Sequence, residues 1–144
     1  APTVPAKLIA LGARLTHSAC GSGACHMVSF TYGSGDPALW RHENLNDETH
    51  AWIAGEFGAV PIAFFRQMAA CVRAGRLVRA GDFPSLPADF TAQAPRTDAR
   101  FALLAGERNQ CFLPESQVAT YDWLNRHHKD RHALHVLPGY SHLD

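Results

Sequence analysis

The stretch from Arg100 to Asp144 constrains the fold more than any other part of the chain. Phe101 to Ala105 is an unbroken apolar run, the pattern expected of a strand covered on both faces. Pro114 suits the first turn of a helix, and Val118, Tyr121 and Leu124 repeat at helical spacing to give it an inward face as far as about His128. His132 to Leu137 then reads as a second strand. A strand, a helix and a strand at this spacing imply a parallel pair joined by a right-handed crossover. The expected fold class is therefore α/β.

Upstream, the signals favour helices. Residues 1 to 26 read as irregular, with Pro2, Pro5 and a glycine loop, and with at most a short helix or strand near Lys7 to Leu15. Val28 to Tyr32 alternates β-branched and aromatic residues and suits a short strand, broken by the turn chemistry of Gly33 to Pro37. Asn46 or Asp47 is a good N-cap for a helix reaching about Phe57, with Gly58 as its stop. Pro61 opens a further helix whose residues Ile62, Phe65, Met68, Ala69 and Val72 share one face, and Gly75 ends it. Gly81 to Asp98 is a loop rich in Pro, Asp and Ala. The expected organisation is residues 1–98 as an irregular segment with lid-like helices, and residues 99–144 as the strand-helix-strand unit.

Composition excludes several classes. The chain has 144 residues, 47% of them hydrophobic and 18% charged, enough to bury a core and too apolar to be disordered. Thirteen basic and thirteen acidic residues cancel, so no basic stripe points to nucleic acid. Apolar runs such as Ala59 to Phe65 are far too short to span a bilayer. Lys7 interrupts the apolar start, so no signal peptide is read there; the compartment is left open, with the cytoplasm favoured.

Cys20-Gly-Ser-Gly-Ala-Cys25-His26 is a compact loop with three open readings. The simplest is a flexible turn with two ordinary thiols. A small disulfide comes next, and zinc last, with His17 as a further ligand but no second Cys/His pair of ligand spacing elsewhere. Cys71 lies in a helical apolar pattern and reads as packing, as does Cys111. The polar segment Arg41 to His50 offers His42, Glu43, Asp47 and His50 as ligands, yet fits better as the capped start of a helix. His127, His128 and His132 suit a helix C-terminus and the turn after it. No metal and no cofactor is expected on these grounds.

His142 is the strongest candidate for chemistry. It follows a strand by a few residues in the loop Pro138-Gly-Tyr-Ser-His142, the placement a triad base requires. Asn109 stands three residues after Gly106, where the preceding strand would present an acid. An amide can orient an imidazole but cannot stabilise the imidazolium as a carboxylate does, and in a serine enzyme that exchange costs about four orders of magnitude in turnover. Thiol-based sites tolerate Asn better. Glu107 and Asp144 are the nearby carboxylates. No Gly-x-Ser-x-Gly occurs, and Cys20, Cys25 and Ser141 are poor nucleophiles because none follows a strand into a helix.

The segments Tyr32-Gly33, Leu45-Asn46 with Thr49-His50, Phe57-Gly58, Gly106-Glu-Arg-Asn109, Cys111-Phe-Leu-Pro-Glu-Ser116, Thr120-Tyr121 and Pro138-Gly-Tyr-Ser-His142-Leu-Asp144 occur in this order. Over residues 17–144 the chain resembles the α/β-hydrolase domains associated with glucose-methanol-choline oxidoreductases of the cholesterol-oxidase type. The resemblance implies the C-terminal half of such a domain, with lid-like helices before the last two strands, His142 as the histidine and Asn109 at the acid position. It implies an ester or related apolar acyl substrate, covered by residues 30 to 80, and a nucleophile on an N-terminal half. No Gly-x-Gly-x-x-Gly segment for a flavin is present. The partners expected are that N-terminal half, an oxidoreductase domain or a second copy. A non-catalytic docking module and a small zinc protein are the alternative classes.

Overall fold

The computed structural model describes residues 4–15, 17–32 and 39–144. The turn expected at Gly33 to Pro37 lies outside the described residues. The elements are α1 (Val4–Leu15), α2 (Gly23–Tyr32), a 3-10 turn (His42–Asn44), α3 (Asp47–Ile53), α4 (Ile62–Ala74), β1 (Ala102–Gly106), α5 (Pro114–His127) and β2 (Ala133–Leu137). They form two compact units, residues 1–57 with 99–144 and residues 58–98. This division shares the boundary near residue 98 with the one expected from sequence, but groups residues 1–57 with the strands.

In the larger unit, β1 and β2 pair in parallel in a two-stranded sheet, Ala102 opposite Ala133 through Gly106 opposite Leu137. Helix α5, with Pro114 in its first turn, lies between them in sequence and contacts both strands. Its Leu124 is buried as expected, Tyr121 is half-buried and Val118 is exposed. Strand β1 is not covered on both faces. Ala105 is buried, but Leu104 is 62% exposed and Val136 on β2 is 41% exposed, because a two-stranded sheet with one helix cannot shield both sides of an apolar run.

The strand expected at Val28 to Tyr32 is instead the second half of α2. Alternation over five residues is a weak signal when flanking residues continue as helix, and here α2 packs along α1 and buries Cys25, Val28 and Ser29. These residues feed a small core of Cys25, Val28, Leu39, Trp40 and Ile53, with Cys20, Leu45 and Cys111 packed against it. Asn46 caps α3 as expected, its side chain accepting the Thr49 N–H at 2.7 Å. The helix stops at Ile53, earlier than Phe57, where Gly55 and Glu56 turn the chain back by bonding to the carbonyls of Trp52 and Ile53.

The smaller unit is α4 with the loop behind it. Pro61 caps the start of α4, and Gly75 ends it in the left-handed conformation, as read from sequence. The side-chain amide of Gln67 donates to the Val78 carbonyl and accepts the Ala80 N–H, pinning the following segment to the helix. Arg76 pairs with Asp89 at 2.7 Å, and Val78 bridges Asp89 in antiparallel fashion. The loop encloses an open hollow of about 320 Å³ lined by Gln67, Leu77, Arg79, Phe83, Leu86 and Phe90.

The exits of β1 and β2 are laced together beyond the sheet. Glu107 donates to Leu137, Arg108 to Tyr140 and the Gly139 N–H to the Glu107 carboxylate. Gly106 permits this approach, since a Cβ there would stand 1.9 Å from the Ser141 carbonyl oxygen. Gly106→Ala should therefore lower unfolding free energy by about 3 kcal/mol, the upper range of overpacking. Gly139→Ala meets open space and only a positive φ, and should cost about 1 kcal/mol. Urea denaturation compares the two, and equal losses would contradict this packing.

Candidate functional site

The two expected site residues meet where the two strands end. Asn109 is carried by the turn after β1, where its own N–H donates to the Gly106 carbonyl at 3.1 Å. His142 is carried by the loop after β2, where its N–H and that of Leu143 donate to the Leu39 carbonyl at 2.9 and 2.8 Å. The side chains then come together, Asn109 Nδ2 standing 3.1 Å from His142 Nδ1. Asn109 is buried, 6% exposed, while His142 is exposed and its ring leans on Phe112 with centroids 4.9 Å apart.

The polarity of this contact is set by the backbone. Asn109 Oδ1 accepts two N–H groups, from Cys111 at 3.0 Å and Phe112 at 2.9 Å. An amide turned the other way would face those donors with its own NH2, so Nδ2 must be the atom that donates to His142. His142 Nδ1 is therefore an acceptor, and the ring proton sits on Nε2. A triad base needs the opposite tautomer, with Nδ1–H held by an acid and a lone pair on Nε2. The inner edge of the ring is taken out of water, and this desolvation holds the His142 pKa below its ordinary 6.5.

Neither alternative carboxylate corrects this. Glu107 is turned to the Gly139 N–H, and Asp144 accepts from the Ser141 N–H and the Asn44 amide. Ser141 is 4% exposed and inside the loop, which removes it as a nucleophile. Burial pushes the Cys111 thiol up from its ordinary range, so it too is a poor source of thiolate.

A second polar centre lies in the same unit, between α1, α2 and the turn at His42. The donor atoms of His17, Cys20, Cys25 and His42 all lie within 4.8 Å of one another. Cys20 Sγ is 3.6 Å from His17 Nε2, and His17 Nδ1 is 3.1 Å from the Ser29 hydroxyl. Cys25 Sγ is 3.2 Å from His50 Nε2, while His26 Nε2 donates to the Cys20 carbonyl at 2.9 Å. The zinc reading of the sequence drew on Cys20, Cys25, His26 and His17 and placed His42 in a separate candidate segment. Cys20, Cys25 and His17 were visible as a local group, but the fourth donor, His42, is joined to them only by the fold. Asp47 and Glu43 stand apart from it: Asp47 opens α3 and Glu43 pairs with Arg41.

Among the described residues, no helix is long and apolar enough to cross a membrane. Comparison with protein-family models, with curated proteins and with solved structures finds no match.

Asn109→Asp tests the polarity. Its carboxylate would keep both backbone donors and accept from Nδ1–H, so the His142 pKa should rise by about one unit or more, measured by NMR titration. An unchanged pKa would contradict the assignment. The pH dependence of stability follows in sign. With a depressed native pKa, the unfolded chain binds more protons, so the contribution of His142 is intact above 6.5 and is lost as pH falls below it. In Asn109→Asp the sign reverses: stability gained below pH 6.5 is lost as pH rises through the new value.

Proposed function

We propose that these residues form the C-terminal part of an α/β-hydrolase-like unit acting on an ester or related acyl compound, with His142 facing the reacting group and Asn109 orienting it. The observation that carries this reading is the Asn109–His142 hydrogen bond at 3.1 Å, made between the exits of two parallel strands joined through a helix. That is where such a fold presents its orienting residue and its histidine.

The tautomer narrows the chemistry. With Nε2 protonated, His142 is a hydrogen-bond donor at rest, suited to a carbonyl oxygen or a developing oxyanion. It is a weak partner for a serine, whose proton it must remove. A thiolate nucleophile needs no such removal and is compatible with Asn109. These 144 residues offer no nucleophile elbow, so on this reading the nucleophile lies outside them.

The same surface favours docking. Parallel sheets are ordinarily covered on both faces, whereas Leu104 and Val136 are exposed and, among the described residues, the two-stranded sheet has both edges open. A nucleophile-bearing half is the occupant that would complete both the sheet and the site.

The test is to co-express the chain with the N-terminal half of an oxidoreductase-associated α/β-hydrolase and assay p-nitrophenyl ester hydrolysis. Activity should require both halves and fall at least about 100-fold in His142→Ala, the lower range for removing one oxyanion donor. Complex formation with hydrolysis indifferent to His142→Ala would contradict the catalytic role. Absence of any complex would contradict the docking.

A further inference from the structure

We propose that His17, Cys20, Cys25 and His42 are the four ligands of a structural Zn2+ site that ties the connection between α1 and α2 to the turn at His42–Asn44. This goes beyond the hydrolase reading and does not depend on it.

Geometry comes first. Ligands at about 2.0–2.3 Å from zinc stand roughly 3.3–3.8 Å apart in a tetrahedron. Cys20 Sγ and His17 Nε2, at 3.6 Å, already have that spacing. The whole set lies within 4.8 Å, so the widest pair needs to close by only about 1 Å, which side-chain torsions supply without moving the backbone. His17 and Cys25 are buried, and Cys20 and His42 are half-buried. The site is shielded yet reachable by an ion.

The surroundings are those of metal ligands rather than of ordinary core residues. A ligating imidazole usually has its other nitrogen held by a hydrogen bond, which aims the ring and sets its tautomer. His17 has this arrangement, Nδ1 facing the Ser29 hydroxyl and Nε2 facing Cys20 sulfur. Each sulfur also has a nitrogen close by. The Ser22 backbone N–H donates to Cys20 Sγ at 3.4 Å, and His50 Nε2 lies 3.2 Å from Cys25 Sγ. The donor aimed at Cys20 sulfur favours its thiolate over the thiol. The His26 bond to the Cys20 carbonyl steadies the loop from outside.

Donor type then selects the ion. Two thiolates and two imidazoles in a tetrahedral array suit zinc, whereas calcium and magnesium require oxygen ligands. Four protein ligands leave no open position, so the ion holds structure and does not activate water. All four cysteines of the chain are free, and a Cys20–Cys25 disulfide is the competing outcome.

The experiment uses the reduced 144-residue chain, stripped with a chelator and titrated with Co2+ and then Zn2+. One equivalent of Co2+ should bind with the intense visible bands of tetrahedral cobalt and thiolate-to-cobalt charge transfer, and Zn2+ should displace it. Cys20→Ser, at a half-buried position, should weaken binding at least 100-fold and reduce the charge-transfer intensity, while His135→Ala, an exposed position on β2, should change neither. Chelation of the zinc-loaded chain should lower Tm by roughly 10 °C. Less than a tenth of an equivalent bound by the reduced chain would overturn the proposal. So would a pale octahedral cobalt spectrum, or full affinity retained in Cys20→Ser. Purified material carrying a Cys20–Cys25 disulfide, and binding no metal after reduction, would overturn it in favour of the disulfide.

Discussion

The carbonyl oxygen of Leu39 accepts two consecutive backbone N–H groups, from His142 and Leu143, and the position of the C-terminal loop depends on that contact. Leu39 is itself fixed, because it and Trp40 are buried with Cys25, Val28 and Ile53. The loop that carries His142 thus rests on a core made by residues between Cys25 and Ile53. This explains why residues 1–57 group with 99–144. Buried carbonyls rarely go unpaired, and here the pairing also aims a side chain. Perturbing the core around Trp40 would move His142 without touching it.

Asn109 converts that placement into a chemical bias. Every polar group of this buried residue that the chemistry uses has a partner. Its N–H is bound to Gly106, its Oδ1 to two backbone N–H groups, and its Nδ2 to His142. A fully satisfied network is rigid because each rearrangement leaves a buried group unpaired. The amide cannot turn to accept from the imidazole, so the ring keeps Nδ1 as acceptor. The contact between the two side chains is present, while the tautomer of a proton-abstracting base is absent.

Much of the fold was legible in the sequence because the signals were local. The cap at Asn46, the limits of α4 at Pro61 and Gly75, and the strand-helix-strand order of residues 101–137 each follow from residues within one turn or one short run. The contact of Asn109 with His142 was also foreseeable, since both follow strands that must be neighbours if they are parallel. What escaped was set by tertiary contact. Val28 to Tyr32 has the alternation of a strand but packs as helix against α1. His42 sits seventeen residues beyond Cys25, and nothing local marks it as lying beside that loop. The polarity of Asn109 depends on the backbone donors of Cys111 and Phe112, which a residue pattern does not display.

The central claim is that Asn109 holds His142 as the neutral Nε2–H tautomer, and 15N-detected NMR of the imidazole ring tests it most directly. At a pH well above 6.5, the two ring nitrogens of His142 should show the pattern of a protonated Nε2 and an unprotonated Nδ1. A protonated Nδ1 with a free Nε2 would contradict the account and make His142 an ordinary triad-type base.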